Sequence, residues 1–197
     1  MIKQFKEERT LVLAKPDGVK RGLAGEIISR IERRGLKIVA IKMVLASKAQ
    51  ILKHLPTDPE WVLRLGDKGL KTFNDYNLDP VTYLGTKDRK EIGENVKQGL
   101  IEYLMSGPVI AMVIEGIHAI TMVRKLAGHT LPVMAEMGTI RGDFSVDSPT
   151  VANVEGRSIH NIMHASETPE EAKNEISVWF DPKEIHSYKR AAEDIMF

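Results

Sequence analysis

Four ionic side chains fall in loops or at the ends of periodic stretches: Lys15, Arg124, Arg141 and His164, with Thr130, Asn161 and Ser166 as polar companions. Three cations and one imidazole, with no obvious carboxylate cluster among them, suit a polyanion such as a nucleoside triphosphate. Phosphoryl transfer demands in-line positioning and positive charge on the equatorial oxygens. Arginine supplies a rigid fork and lysine a point charge. A neutral imidazole is a good nucleophile near neutral pH and could take the phosphoryl group itself. A carboxylate must then orient the ring, and Glu175, one helix later, could do so. Spacing alone does not bring these groups together.

The imidazole sits in Asn161-Ile162-Met163-His164-Ala165-Ser166-Glu167. Ile162 and Met163 read as buried, and Ala165 is small enough to let something approach. Thr168 could cap a helix, Pro169 suits its first position, and Glu170 and Glu171 complement the positive end of its dipole. His164 is therefore expected on a loop just before a helix N-terminus, a natural anion site. There it could be a nucleophile, a proton shuttle or a metal ligand. Lys15 ends an apolar run and enters Lys15-Pro16-Asp17-Gly18-Val19, which carries turn chemistry. The glycine spacing and Lys-Ser/Thr pair of a P-loop are absent.

The elements that must position these groups follow in order. Thr10 to Ala14 reads as a strand, Glu26 to Arg34 as a helix, Leu36 to Leu45 as a strand, and Lys48 to Leu55 as a helix. From Pro56 to about Glu94 the chain mixes Asp-Pro breaks, glycines and four aromatics, Trp61, Phe73, Tyr76 and Tyr83. Short helices over 60–65 and 69–76 are expected there, followed by a helix from about Glu91 to Met105. Val109 to Glu115 is the clearest strand, and Ile117 to Ala127 the next helix. Residues 130 to 153 lose periodicity and read as a long loop, which in a compact domain usually carries function. A helix over 169–176, a short strand over 177–180 and another short helix close the chain. The pattern predicts a single α+β domain of ferredoxin-like type, a small antiparallel or mixed sheet covered by helices.

The chain has 197 residues, 43% hydrophobic and 28% charged, with a formal net charge of +1 and no cysteine. Such a balance fits a soluble globule with a sizeable core. It offers no global attraction to nucleic acid or to an anionic membrane, so any anion site is local. Disulfides, thiolate metal sites and cysteine nucleophiles are excluded. The longest apolar run, over 109–114, is too short to span a bilayer, and the charged start lacks a signal-peptide core. A cytoplasmic location is expected.

Several segments, taken jointly and in this order, resemble nucleoside diphosphate kinase over nearly the whole length. They are Arg9-Thr10-Leu11, Lys15-Pro16-Asp17-Gly18-Val19, Arg21-Gly22-Leu23, Gly25-Glu26-Ile27-Ile28 and Ser106-Gly107-Pro108-Val109. They continue with Gly138-Thr139-Ile140-Arg141-Gly142-Asp143-Phe144, Asn161 through Ser166, Glu175-Ile176 and Trp179-Phe180. The resemblance implies ping-pong transfer of a γ-phosphate through a phosphohistidine. It implies Mg²⁺ held by the nucleotide phosphates, with no metal ligand from the protein. It makes His164 the nucleophile. Lys15, Arg124, Thr130, Arg141 and Asn161 match positions that contact phosphates and ribose, and Ser166 and Glu175 match those that orient the histidine. It also implies a homo-oligomer, a hexamer first, with a tetramer or dimer as alternatives.

Three departures stand against this pattern. The family's tyrosine after the histidine that is here His54 is replaced by Leu55. The aromatic that stacks on the base aligns with Val96, which leaves Val96 and Leu100 as aliphatic base contacts. Two segments are longer than in the common form: an insertion at about 56–94, and a stretch between Phe144 and Asn161. Two other classes of function compete with the enzyme. A regulatory phosphohistidine protein that passes its phosphoryl group to a protein partner would share His164 without needing the whole nucleotide set. A silent nucleotide-binding module would not need His164.

Overall fold

The computed structural model describes residues 7–196; Met1 to Lys6, which hold most of the charged start, and the terminal Phe197 lie outside them. In chain order the elements are β1 (Glu8–Ala14), α1 (Pro16–Lys20), α2 (Ala24–Arg33), β2 (Lys37–Val44), α3 (Lys48–His54), α4 (Pro59–Asp75), α5 (Pro80–Leu84) and α6 (Arg89–Met105). There follow β3 (Val109–Gly116), α7 (Ala119–Ala127), α8 (Ile140–Phe144), α9 (Pro149–Val154), β4 (Met163–Ala165), α10 (Pro169–Trp179) and α11 (Glu193–Met196). Single 3-10 turns lie at Pro132–Met134 and Pro182–Glu184.

The four strands form one sheet in the order β2-β3-β1-β4, and every neighbouring pair is antiparallel. Side chains alternate across a strand, and here both faces are covered. Leu11 and Leu13 of β1 join Ala111 and Val113 of β3 in one cluster, closed by Ile51 of α3, Leu104 of α6 and Trp179 of α10. Val12 and Ala14 join Met112 and Ile114 in the second, closed by Ile27 and Ile31 of α2 and Val123 of α7. A strand buried on both faces reads as a continuous apolar run, which is why Leu11 to Ala14 and Val109 to Ile114 stand out in the sequence. The α+β sandwich expected from the pattern is the one observed.

The structure corrects the sequence reading in five places. His164 is not on a loop: β4 is a three-residue edge strand whose His164 lies opposite Leu13 of β1. The stretch 177–180 is not a strand, because α10 runs through Trp179 and its buried residues Ala172, Glu175 and Trp179 recur at helical spacing. A four-residue apolar run suits either element, and length arbitrates poorly at a helix end. Lys15-Pro16-Asp17-Gly18-Val19 opens a five-residue helix, with Lys15 as N-cap and Pro16 at the first position. The glycines of the insertion do not break it. α4 is continuous over 17 residues, and a Cβ on Gly66 would lie 1.7 Å from Arg89 O, so glycine lets α4 and α6 cross closely. Residues 130 to 153 hold a 3-10 turn, α8 and most of α9 rather than a bare loop.

Candidate active site

β1 ends at Ala14, and Lys15 turns into α1 beneath the chain that leads to β4. Lys15 N–H donates to Ile162 O at 2.8 Å, and Ile162 N–H donates to Asp17 Oδ2 at 3.0 Å. Asp17 Oδ1 accepts from the Tyr103 hydroxyl at 2.5 Å. These bonds fix Ile162 at φ +68, a left-handed backbone that a β-branched residue rarely adopts. Gly18 is required beside it, because a Cβ there would stand 2.8 Å from Ile162 O. The turn sends the chain back along β1 as β4, and His164, opposite Leu13, faces the α3 and α10 side of the sheet.

On that side His164 Nε2 lies 2.9 Å from Glu175 Oε2, and the Ser166 hydroxyl donates to the same oxygen at 2.6 Å. Ser166 Oγ accepts from Leu11 N–H at 3.2 Å, which leaves its proton for the carboxylate. Glu175 is 2% exposed. Burial raises its pKa against the pull of His54 and Ser166. Burial, with Lys15 next, takes the His164 pKa down to about 3, so the ring is neutral near pH 7. A neutral ring meets a carboxylate favourably when Nε2 carries the proton; Nδ1 is then bare.

The cations differ in setting. Lys15 Nζ donates to Asn161 Oδ1 at 2.7 Å, and burial, with Arg141 next, lowers its pKa to about 7. Asn161 Nδ2 donates to Thr130 O at 2.9 Å and so ties the 130s to the strand. Arg141, one residue into α8, donates to Gly128 O and Met163 O at 2.7 Å each and to Asn161 O at 3.1 Å. Burial and Arg124 bring its pKa down to about 10. Of the five N–H groups of a guanidinium, these bonds leave two. Arg124, in the last turn of α7, is exposed and pairs with Glu167 at 2.9 Å.

Arg124, Thr130, Arg141, Ala165 and Glu167 line one cleft of about 820 Å³ between α7, the 130s and the end of β4. The cleft thus meets β4 at the residue after His164. Neither Val96 nor Leu100 lines it; Leu100 packs against the first cluster. Leu55 is 7% exposed in that cluster and presents no polar group. Three of the four aromatics of the insertion pack on one another or on the core: Phe73 is buried and stacks on Tyr83 at 5.9 Å, and Trp61 packs on the first cluster, while Tyr76 is exposed.

Among the described residues, His54, His164 and Glu175 bring donor atoms within 4.8 Å of one another. Lys15, Arg124 and Arg141 all act on the same imidazole and make the place hostile to a cation. Sequence reasoning missed His54, Asp17 and Tyr103 as parts of the site. Asp17 sits inside a motif that reads as a turn, His54 is marked by the resemblance but without a role, and nothing in the spacing points to Tyr103.

A family model described as nucleoside diphosphate kinase matches residues 8–60 and 89–185. A nucleoside diphosphate kinase of Pyrobaculum aerophilum is 49% identical over 178 residues, 90% of this chain and 97% of that one. A solved NDP kinase from the same organism superposes with TM-score 0.88 at 47% identity, over 92% of this chain and all of that one (100%). A nucleoside diphosphate kinase from Borrelia burgdorferi, solved as a transition-state mimic with bound vanadate and ADP, superposes with TM-score 0.73. It is 39% identical, over 94% of each chain.

Proposed function

The chain belongs to the nucleoside diphosphate kinase family, a family of phosphotransferases, and from that premise we propose that it carries the γ-phosphoryl group from a nucleoside triphosphate to a nucleoside diphosphate on His164. The observation that carries this reading is the His164 imidazole, held by Glu175 through Nε2 at 2.9 Å, next to a cleft lined by Arg124 and Arg141. Nδ1 attacks the γ-phosphorus in line. The bond from phosphorus to the bridging oxygen breaks, its electron pair leaves with the nucleoside diphosphate, and the Nδ1–P bond forms. A second diphosphate then reverses the step. No proton has to move, because Nδ1 is already bare.

Lys15, Arg124 and Arg141 spread positive charge over the phosphate oxygens, while Thr130 and Asn161 add neutral donors to phosphate and ribose. Mg²⁺ enters as part of the substrate, on the nucleotide phosphates; the cleft side chains are weighted toward cations and suit a metal that arrives already bound. Val96 and Leu100 stay as our assignment for aliphatic base contact, with the base reaching beyond the cleft.

A homo-oligomer is supported by exposed apolar side chains; a hexamer first, with a tetramer or dimer as alternatives, rests on the resemblance alone. Ile41, Met43 and Leu45 lie along the edge strand β2 and just after it, and Val133, Met134, Met137 and Val146 lie in the 130s and 140s. No helix among the described residues is long and apolar enough to cross a membrane; with the charged composition this supports a cytoplasmic setting. We read the helices over 56–94 as an insertion into one domain spanning 1–197, in keeping with the break in the family match between 60 and 89. The regulatory alternative is not favoured, since relatives that match over 90% and 94% of this chain are named nucleoside diphosphate kinase.

The test is to incubate the protein with γ-labelled ATP and Mg²⁺, isolate it, and chase with GDP. The label should sit on His164, be lost in acid, survive base and leave on addition of GDP. His164→Ala should take no label. A base-labile, acid-stable label, or labelling of a folded His164→Ala protein, refutes the reading.

A further inference from the structure

One buried histidine beside this machinery remains unexplained. His54, the last residue of α3, is 8% exposed, and its ring meets that of His164 edge-on at 4.7 Å between centroids. His54 Nδ1 lies 3.3 Å from Glu175 Oε1, the carboxylate oxygen that does not face His164 or Ser166. The indole Nε1–H of Trp179 is oriented to donate to the same nitrogen at 3.3 Å.

The two neighbours of Nδ1 make opposite demands. An indole N–H can only donate, so it asks for a bare nitrogen; a carboxylate can only accept, so it asks for N–H. A bare Nδ1 would set its lone pair against Oε1 and leave that oxygen without a donor in a buried place. An Nδ1–H completes the carboxylate instead: Oε1 takes His54, and Oε2 takes His164 and Ser166. A hydrogen bond to a charged acceptor is roughly twice as strong as one between neutral groups, so the ionised carboxylate wins the contest with the indole.

We propose that His54 is a positioning residue for the phosphoryl transfer: its Nδ1–H holds Glu175 Oε1, which keeps Oε2 on the Nε2–H of His164 and leaves His164 Nδ1 bare toward the phosphate. This rests on the function proposed above. During attack the His164 ring gains positive charge, and the anion that His54 helps to hold is what stabilises it. His54 touches neither nucleotide nor phosphorus; it acts through Glu175.

Several charged and titratable groups face this pair. His164 comes from β4, Lys15 from the end of β1, and Glu171 from one turn earlier on α10, while Arg124 and Arg141 act on His164 from α7 and α8. Burial first, and then His164, takes the His54 pKa down to about 3, so the ring carries a single proton near pH 7. Burial pushes Glu175 up, and His54 and Ser166 push it down. Removing the Nδ1–H donor takes a hydrogen bond from the ionised carboxylate, which raises the pKa of Glu175, and the step fails at higher pH than in the parent.

The experiment uses the full chain and three variants: His54→Leu removes the donor, His54→Asn places an amide N–H near Nδ1, and His54→Gln places it one atom too far. Rapid-quench formation of phosphoenzyme from ATP–Mg²⁺ is followed from about pH 5 to about pH 9, and ¹⁵N NMR of labelled histidine reports the His164 tautomer. The expected result is phosphorylation at least about tenfold slower in His54→Leu. Its acid limb should move up by about one pH unit, with the nucleotide KM nearly unchanged. His54→Asn should recover most of the rate and the acid limb, His54→Gln less, and the Nε2–H signature of His164 should weaken in His54→Leu. Equal rates and equal acid limbs in the parent and His54→Leu overturn the proposal. Asn and Gln variants that behave alike also overturn it, and they decide the matter should His54→Leu not fold. If the parent forms no phosphohistidine, the proposed function falls and this inference falls with it; if the parent is phosphorylated and only the His54 comparison is flat, this inference alone falls.

Discussion

Arg124 and Arg141 act on the same reaction in the proposed mechanism, yet the structure gives them very different roles in the fold. Arg141 is 7% exposed and holds three backbone carbonyls, those of Gly128, Asn161 and Met163. Arg141→Ala strips all three. A hydrogen bond from a charged donor contributes about 1.5–3 kcal/mol net, and water entering from the cleft will restore part of it, so the expected loss is about 3 kcal/mol. Arg124 pairs with Glu167 while 43% and 67% of the two side chains stay in solvent. Exposed pairs contribute at most about 1 kcal/mol, so Arg124→Ala should change stability by less than that. As donors to developing phosphate charge, each should remove about 2–4 kcal/mol of transition-state stabilisation. Urea unfolding followed by the fluorescence of Trp61 and Trp179, at one fixed protomer concentration, separates the cases. In a chain of this size about 3 kcal/mol corresponds to a Tm drop of roughly 6–12 °C. Equal destabilisation by the two alanine variants, or a stable Arg141→Ala protein, would mean that the carbonyl clamp is not what holds the 130s to β4. Equal activity of either variant and the parent would remove that arginine from the phosphate site.

Two further outcomes follow from the buried titratable groups. His54 and His164 both hold pKa values near about 3 in the fold against 6.5 in the unfolded chain. The unfolded state therefore binds more protons below pH 6.5, and stability is whole above that pH and declines toward pH 3. The slope approaches about 1.4 kcal/mol per pH unit per histidine. Urea midpoints taken between pH 7.5 and pH 5.5 should fall steeply for the parent and less steeply when both histidines are replaced by asparagine, Lys15 leaving a residual slope near pH 7; parallel curves would refute the assignment. Lys15, brought to about 7 by burial and Arg141, is largely neutral in the free protein by about pH 8. Phosphates should restore its charge, so calorimetry of ADP–Mg²⁺ binding at about pH 8 in buffers of different ionisation enthalpy should show uptake of up to about one proton. Lys15→Met should abolish that uptake; binding with no uptake in the parent would place the phosphates away from Lys15.

The sequence made some of this legible and hid the rest for physical reasons. β1 and β3 were visible because both of their faces are buried, which turns the strand into an unbroken apolar run. The cations were visible because arginine and lysine at element ends, with an imidazole among them, suit few substrates. β4 was not visible: three residues carry no period, and the strand they pair with, β1, lies at the other end of the chain, Leu13 opposite His164. The inner role of Arg141 was hidden because its bonds end on backbone carbonyls, which have no sequence signature. The insertion was misread as two short helices because Gly66 looks like a break, whereas there it serves a helix crossing. His54 was hidden because a histidine at a helix end looks the same on paper whether it faces solvent or a buried carboxylate.

The site stores unfavourable terms that the rest of the fold must hold. Lys15 and Arg141 are both buried, and each lowers the pKa of a neighbour: Arg141 acts on Lys15, and Lys15 acts on His164. Ile162 is held left-handed at φ +68. Strain of this kind persists where the surroundings over-determine it. Here Asp17 is the keystone, taking Ile162 N–H on one oxygen and the Tyr103 hydroxyl on the other. Tyr103 is 6% exposed at the C-terminal end of α6, and α6 in turn closes the first core cluster. The repulsion among the cations therefore cannot relax by letting β4 move, because β4 is pinned through Asp17 and Tyr103 to a helix that the core holds. In the proposed mechanism an arriving polyphosphate relieves what the fold cannot. Burial of the cations is thus a cost in the empty protein and a preorganised field once the substrate is bound, which is where a phosphoryl-transfer site gains from it.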